Sequence, residues 1–113
     1  MKESIGAVCA DATKCVYCVS WHTTAARKEG YDQKWTEILR QFNERKNEIP
    51  EKERAALEYA RQVATEAYKV TDSQVENLRK VGWSDPEIME ITWTAAYLTC
   101  YAKFNTALDI EYW

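Results

Sequence analysis

Within the stretch "KCVYCVSWHTTAARKEG", Cys15, Cys18 and His22 fall in the pattern C-x-x-C-x-x-x-H, and His22 is the only histidine among 113 residues. If the stretch is helical, Cys18 and His22 stand at i and i+4, share one face and can touch. An imidazole beside a thiol takes its proton, or stabilises the thiolate as an imidazolium. Cys15 lies one turn back and can close a disulfide on Cys18. Thr13 is placed to cap a helix beginning near Cys15, where the exposed N–H groups and the positive end of the macrodipole favour a thiolate. The spacing therefore provides a nucleophile, a base and a resolving thiol.

Other readings of these residues stand beside this one. Small cysteines pack in cores as apolar residues do, which is the reading for Cys9 and Cys100. A metal site has only three ligands in sequence here, whereas structural zinc takes four. Glu3, Cys9 or Cys100 would then have to supply the fourth. A c-type haem needs a histidine directly after the second cysteine, and Val19 stands there; a thioredoxin domain needs a strand just before the motif, and "GAVCADAT" does not read as one.

The elements that must position these residues read as helices throughout. Three glycines and two prolines are the only such punctuation. Residues 3–12 read as a short helix and residues 15–28 as a second, with Gly30 as its C-terminal stop. Trp35, Ile38, Leu39 and Phe42 fall at i, i+3, i+4 and i+7, which predicts an amphipathic helix over 32–45. "NERKNEIPEK" reads as a loop, with Pro50 opening a helix over 51–67 whose stripe is Leu57, Ala60, Val63 or Ala64, and Ala67. "TDSQ" and "SDPE" are capping boxes opening two more helices at Thr71 and Ser84. Val75 and Leu78 face inward from the first of these, and Gly82 ends it. The last helix, over about 85–108, is apolar on two faces. Ile88, Ile91, Ala95, Leu98 and Ala102 form one; Met89, Trp93, Ala96, Cys100 and Phe104 form the other. In so small a chain, one of them is expected to be shared with another subunit. The expected class is all-α, about six helices in a single domain over residues 1–113, without strands or repeats.

Composition limits the function classes. The net charge is −3 and no basic block occurs, so nucleic acid is not an expected partner. The longest uncharged run, "ITWTAAYLTCYA", is short of the ~20 apolar residues that a membrane-spanning helix needs. The start "MKESIGAVCADATKC" has no apolar signal core, so a cytoplasmic protein is expected. In a reducing compartment C-x-x-C is catalytic or metal-binding rather than a structural staple. The aromatic end "DIEYW" places Tyr112 and Trp113 either at a subunit interface or over the domain's own core.

Helix geometry selects one acid that could orient His22. If the first helix ends near Thr13 and the second returns beside it, Glu3 lies about 15 Å from the turn and His22 about 10 Å. With axes about 8–10 Å apart, the offset is within reach of a glutamate, directly or through one water. On spacing alone, Glu3 reads more readily as a solvated carboxylate.

A glutamate, eleven residues, then C-x-x-C-x-x-x-H is the signature of the redox-active branch of the alkylhydroperoxidase D (AhpD)-like proteins of the carboxymuconolactone decarboxylase superfamily. Glu3, Cys15, Cys18 and His22 meet every spacing, and "HTTAARKEGYD" and "EKERAALEYARQVATEAYKVTDSQVENLRKVGWSDPEIMEI" are similar to the segments that follow, so the chain resembles that family over nearly its whole length. The resemblance implies an all-α AhpD-like fold assembling as a homotrimer or homohexamer. It implies peroxide or disulfide reduction in antioxidant defence, without haem, flavin or metal. In that scheme Glu3 polarises His22 through water, His22 deprotonates Cys18, Cys18 attacks the peroxide, and Cys15 resolves the sulfenic acid. An external dithiol, a disulfide reductase or a peroxiredoxin then supplies electrons. Two departures stand out. Tyr17 occupies the place between the cysteines where the best-known member has a second histidine. The Asn-Arg pair frequent in the family's last helix has as counterpart Ala102-Lys103 or, in another alignment, Asn105, and neither is assigned a role. Alternative functions are a redox-sensing or metal-binding module, and the lactone decarboxylation of the superfamily's other branch, whose members generally lack C-x-x-C.

Overall fold

The computed structural model describes residues 1–109, and the aromatic ending at Tyr112 and Trp113 lies outside them. The helices are α1 (Lys2–Ala12), α2 (Val16–Lys28), α3 (Gln33–Arg40), α4 (Phe42–Arg45), α5 (Glu51–Glu66), α6 (Asp72–Lys80) and α7 (Asp85–Ala107). Short 3-10 turns at Lys46–Glu48 and Ala67–Lys69 flank α5. Among the described residues there is no strand, and no helix is long and apolar enough to cross a membrane.

Both capping boxes form. The Thr71 hydroxyl accepts from the Gln74 N–H while the Gln74 carboxamide oxygen accepts from the Thr71 N–H at 2.9 Å. Ser84 and Glu87 repeat the exchange at the start of α7. Gly30 and Gly82, at φ +105° and +112°, close α2 and α6 with the same paired bonds. The N–H of Gly30 reaches Arg27 O and that of Tyr31 reaches Ala26 O; Gly82 and Trp83 bond to Arg79 and Leu78 in the same way.

A third such motif ends α1, and here the left-handed residue is Lys14, at φ +62°. Its N–H bonds to Asp11 O, and the Cys15 N–H to Ala10 O. Thr13 therefore belongs to the end of α1. Its hydroxyl donates to Cys9 O and Ala10 O and does not cap α2, which opens on Cys15 without a side-chain cap. A side chain in the left-handed region costs roughly 1–2 kcal/mol, and glycine escapes this at some loss of chain entropy. Lys14→Gly is thus expected to stabilise the protein by about 0.5–1 kcal/mol, read as a higher urea midpoint at an unchanged slope.

The central element is α1. Seven consecutive residues, Ser4 to Ala10, are buried, which an amphipathic surface helix does not allow. It packs against α2, α3, α5 and α7. Ile5, Val8 and Cys9 enter the main core with Leu39, Phe42, Leu57, Leu78 and Ile91. Polar ties fix its neighbours: the Trp35 indole N–H donates to Ser4 Oγ at 2.9 Å, and Arg61 donates to Asp11 at 2.8 Å and to Val8 O at 3.1 Å.

The third predicted helix does not run unbroken to residue 45. It stops at Gln41 (φ −124°, ψ 40°), and α4 and a 3-10 turn follow, so part of the expected loop after Phe42 is helical. The break turns Phe42 into the core, where it is 1 % exposed. Ala67 is exposed in the 3-10 turn rather than on the buried stripe of α5. Leu78 is buried, whereas Val75 is only partly so. On α7, Ile88, Ile91, Ala95, Leu98 and Ala102 are buried. The second apolar face, Met89, Trp93, Ala96, Cys100 and Phe104, is exposed along its length in the single chain.

Candidate active site

The tight turn at Lys14 sends α2 back along α1. Cys15 is the N-cap of α2 and Cys18 lies in its first turn, at the positive end of the helix dipole. The two cysteines are 5.3 Å apart at Cα, with their sulfurs at disulfide distance. Their sulfurs are nearly buried, in a small apolar cluster with Ala10, Val19 and Ala102 and, packed on it, Tyr17.

One turn further along α2, His22 is buried with its Nδ1 2.7 Å from Glu3 Oε2. The contact is direct, where the resemblance implied a bridging water. A carboxylate at Nδ1 holds the proton on that nitrogen and leaves the Nε2 lone pair as the basic site. Cys18, His22 and Glu3 all line one open cavity of about 590 Å³. Cys15 is not part of its lining. Tyr17, Trp21, Tyr97 and Tyr101 give it aromatic walls, and Leu98, Asn105 and Lys2 complete the lining. Tyr97 and Tyr101 meet edge to face and share a hydroxyl hydrogen bond of 3.1 Å, which raises the Tyr101 phenol above its ordinary pKa.

Two residues that sequence reasoning left unassigned touch this constellation. A Cβ on Gly6 would lie 2.6 Å from His22 Nδ1 and 2.7 Å from Cγ and Cε1. The imidazole therefore rests flat on the α1 backbone, and only glycine permits that approach. The signal was a glycine inside an otherwise helical run. The other residue is Asn105, buried on α7, whose carboxamide N–H donates to Cys18 Sγ at 3.8 Å.

The other two cysteines stand apart. Cys9 is buried as expected, its thiol donating to Ala60 O, and burial pushes it up to about 12, so it is no nucleophile at ordinary pH. Cys100 corrects the expectation of core packing: it lies exposed on the outer face of α7. Among the described residues, no group of three or more His, Cys, Asp or Glu side chains converges as a metal site. The fourth ligand sought from Cys9 or Cys100 is therefore not in place.

No protein-family model matches this chain, and no curated protein matches it in sequence. Solved structures do match in shape. An uncharacterized peroxidase-related protein from Silicibacter sp. superposes with TM-score 0.89 at 24 % identity, over 97 % of this chain and 57 % of its own. A protein of unknown function from Agrobacterium tumefaciens, named as a candidate antioxidant defence protein AhpD, gives 0.87 at 23 %, over 98 % and 75 %. An uncharacterized peroxidase-related protein from Ralstonia eutropha, described as an alkylhydroperoxidase AhpD core, gives 0.85 at 24 %, over 94 % and 55 %. This chain thus spans little more than half the length of the Silicibacter and Ralstonia proteins. At these scores, the helical chain has the AhpD-like fold.

Proposed function

We propose that the protein is a C-x-x-C-dependent peroxidase that reduces hydroperoxides with electrons from an external dithiol. The observation that carries this reading is the Glu3–His22–Cys18 arrangement opening on one cavity, with Cys15 in disulfide contact behind it. The cycle starts from the reduced protein. His22 Nε2 takes the Cys18 thiol proton, and Glu3 stabilises the resulting imidazolium through Nδ1. The Cys18 thiolate attacks the outer peroxide oxygen: an S–O bond forms, the O–O bond breaks, and the alkoxide leaves with the proton from His22. Cys18 is now a sulfenic acid, oxidised by two electrons. The Cys15 thiol displaces its hydroxyl as water, giving a Cys15–Cys18 disulfide. An external dithiol reduces that disulfide through a mixed-disulfide intermediate and is itself oxidised.

Support comes also from what surrounds the sulfurs. Cys18 faces the cavity and Cys15 does not, which suits the nucleophile and resolving roles respectively. The aromatic walls suit an apolar hydroperoxide. A continuous assay with cumene hydroperoxide and a dithiol such as dihydrolipoamide is expected to show stoichiometric loss of both. A protein whose disulfide is reduced by the dithiol but which consumes no hydroperoxide lacks this function.

The exposed side of α7 supports a second part of the proposal, assembly as a homotrimer or homohexamer. Met89, Trp93 and Phe104 are 73 %, 70 % and 56 % exposed in the single chain, an apolar stripe that water disfavours. Sedimentation velocity is expected to give a mass of three or six chains, and a monomer at micromolar concentration rules the assembly out.

A further inference from the structure

The buried stripe of α7 runs Ile88, Ile91, Ala95, Leu98 and Ala102, and the next position in that register is Asn105. Every earlier member is apolar and packs. Asn105 is as buried as they are, at 6 % exposure, yet it carries a carboxamide. Burying such a group is unfavourable unless hydrogen bonds compensate it, and asparagine is a poor residue for a helix interior. Its Nδ2 donates to the sulfur of Cys18 at 3.8 Å. It also lines the cavity that Cys18 and His22 share.

We infer that Asn105 is a further catalytic residue, the hydrogen-bond donor that holds the Cys18 thiolate. The inference rests on the reading of Cys18 as the nucleophile. A hydrogen bond to an ionised acceptor is shorter and stronger than one to a neutral sulfur. The contact therefore gains when the disulfide opens and Cys18 becomes an anion. A carboxamide has no proton to give up near neutral pH, so it donates to the sulfur throughout the cycle. His22 alternates between base and acid in the same cycle. The two roles are separate: the imidazole moves the proton, and the carboxamide stabilises the charge left behind. The helix dipole at the start of α2 acts on the same charge.

The test is the pH profile of Cys18 alkylation by iodoacetamide in the fully reduced protein, followed by peptide mapping so that each cysteine is read separately. Asn105→Leu removes the donor while keeping an apolar side chain of similar size. Asn105→Asp keeps the shape and places a like charge beside the sulfur. The Cys18 midpoint is expected to rise by about one to two pH units in the leucine variant and further in the aspartate variant. Thermal unfolding of the same variants separates this from a packing role. Unchanged midpoints with a lowered melting temperature overturn the inference.

The wild type gives an independent reading should either variant fold poorly. The side-chain amide protons of Asn105 are expected to shift in NMR spectra with the midpoint of Cys18 alkylation. Amide signals that stay fixed through that titration also overturn it. No peroxide enters either experiment, so the two readings fail separately. Shifted midpoints in a protein that consumes no hydroperoxide leave Asn105 as the thiolate donor and remove the peroxidase. Hydroperoxide turnover with midpoints unmoved by substitution does the reverse.

Discussion

Cys18→Ser is expected to abolish hydroperoxide consumption, by more than about a thousandfold, because a serine hydroxyl is not ionised by an imidazole to any useful extent and cannot be oxidised to a sulfenic acid. Cys15→Ser is expected to behave differently. Its Cys18 still lines the cavity that His22 also lines, so one equivalent of hydroperoxide is consumed in a first turnover. No resolving thiol follows, and a sulfenic acid accumulates that a 1,3-dione reagent traps on Cys18. Cys9 is too deeply buried to substitute, and Cys100 lies on the outer face of α7. The pair of variants assigns the roles by order of events. Trapping on Cys15 in the Cys18→Ser protein, with one equivalent of hydroperoxide consumed, would exchange the two cysteines.

Gly6→Ala should produce an unusual combination: a large loss of activity with little loss of stability. Within a helix, alanine is favoured over glycine by about 0.8–1.0 kcal/mol. Against that, the new Cβ would sit 2.6 Å from His22 Nδ1 on a helix that is buried and cannot retreat. Overpacking of this kind costs about 1–3 kcal/mol, so the net change in stability is small. The ring is what yields. Lifting it from α1 breaks its 2.7 Å contact with Glu3 and, in the proposed mechanism, moves Nε2 away from the Cys18 thiol. Loss of a positioned base costs about 10²–10⁴-fold, and a displaced one belongs at the lower end of that range. Measurement of kcat/KM alongside thermal unfolding checks this. Full activity in a folded Gly6→Ala protein would mean that the seating of His22 on α1 does not matter to the chemistry.

The sequence made much of this arrangement legible, for identifiable reasons. Capping boxes at Thr71 and Ser84 and stops at Gly30 and Gly82 are local chemistry, and each formed where its residues stand. The i, i+4 relation of Cys18 and His22 follows from helix geometry, whereas the partner acid was only within reach on spacing and was singled out by the family signature. The misreadings also have physical causes. The end of α1 carries Lys14 in the left-handed conformation where glycine is the usual marker, so Thr13 was read as a cap for the wrong helix. The break at Gln41 has no proline or glycine to announce it, and the gain is the burial of Phe42. Cys100 shares a helix with buried neighbours but faces outward, because α7 is apolar on two sides and sequence cannot say which one the single chain covers. Gly6 and Asn105 escaped because their importance lies in what approaches them from another helix. A close contact across α1 and α2, or across α7 and α2, leaves no mark in local spacing.

The most direct test of the central claim is a single-turnover experiment on the reduced wild-type protein. All four cysteines are first brought to the thiol form, one equivalent of hydroperoxide is added without reductant, and the products are mapped by mass spectrometry. The expected result is the loss of two thiols and the appearance of a bond between Cys15 and Cys18, with Cys9 and Cys100 still free. Four thiols remaining after the peroxide has had time to react, or an oxidation confined to Cys100, would contradict it.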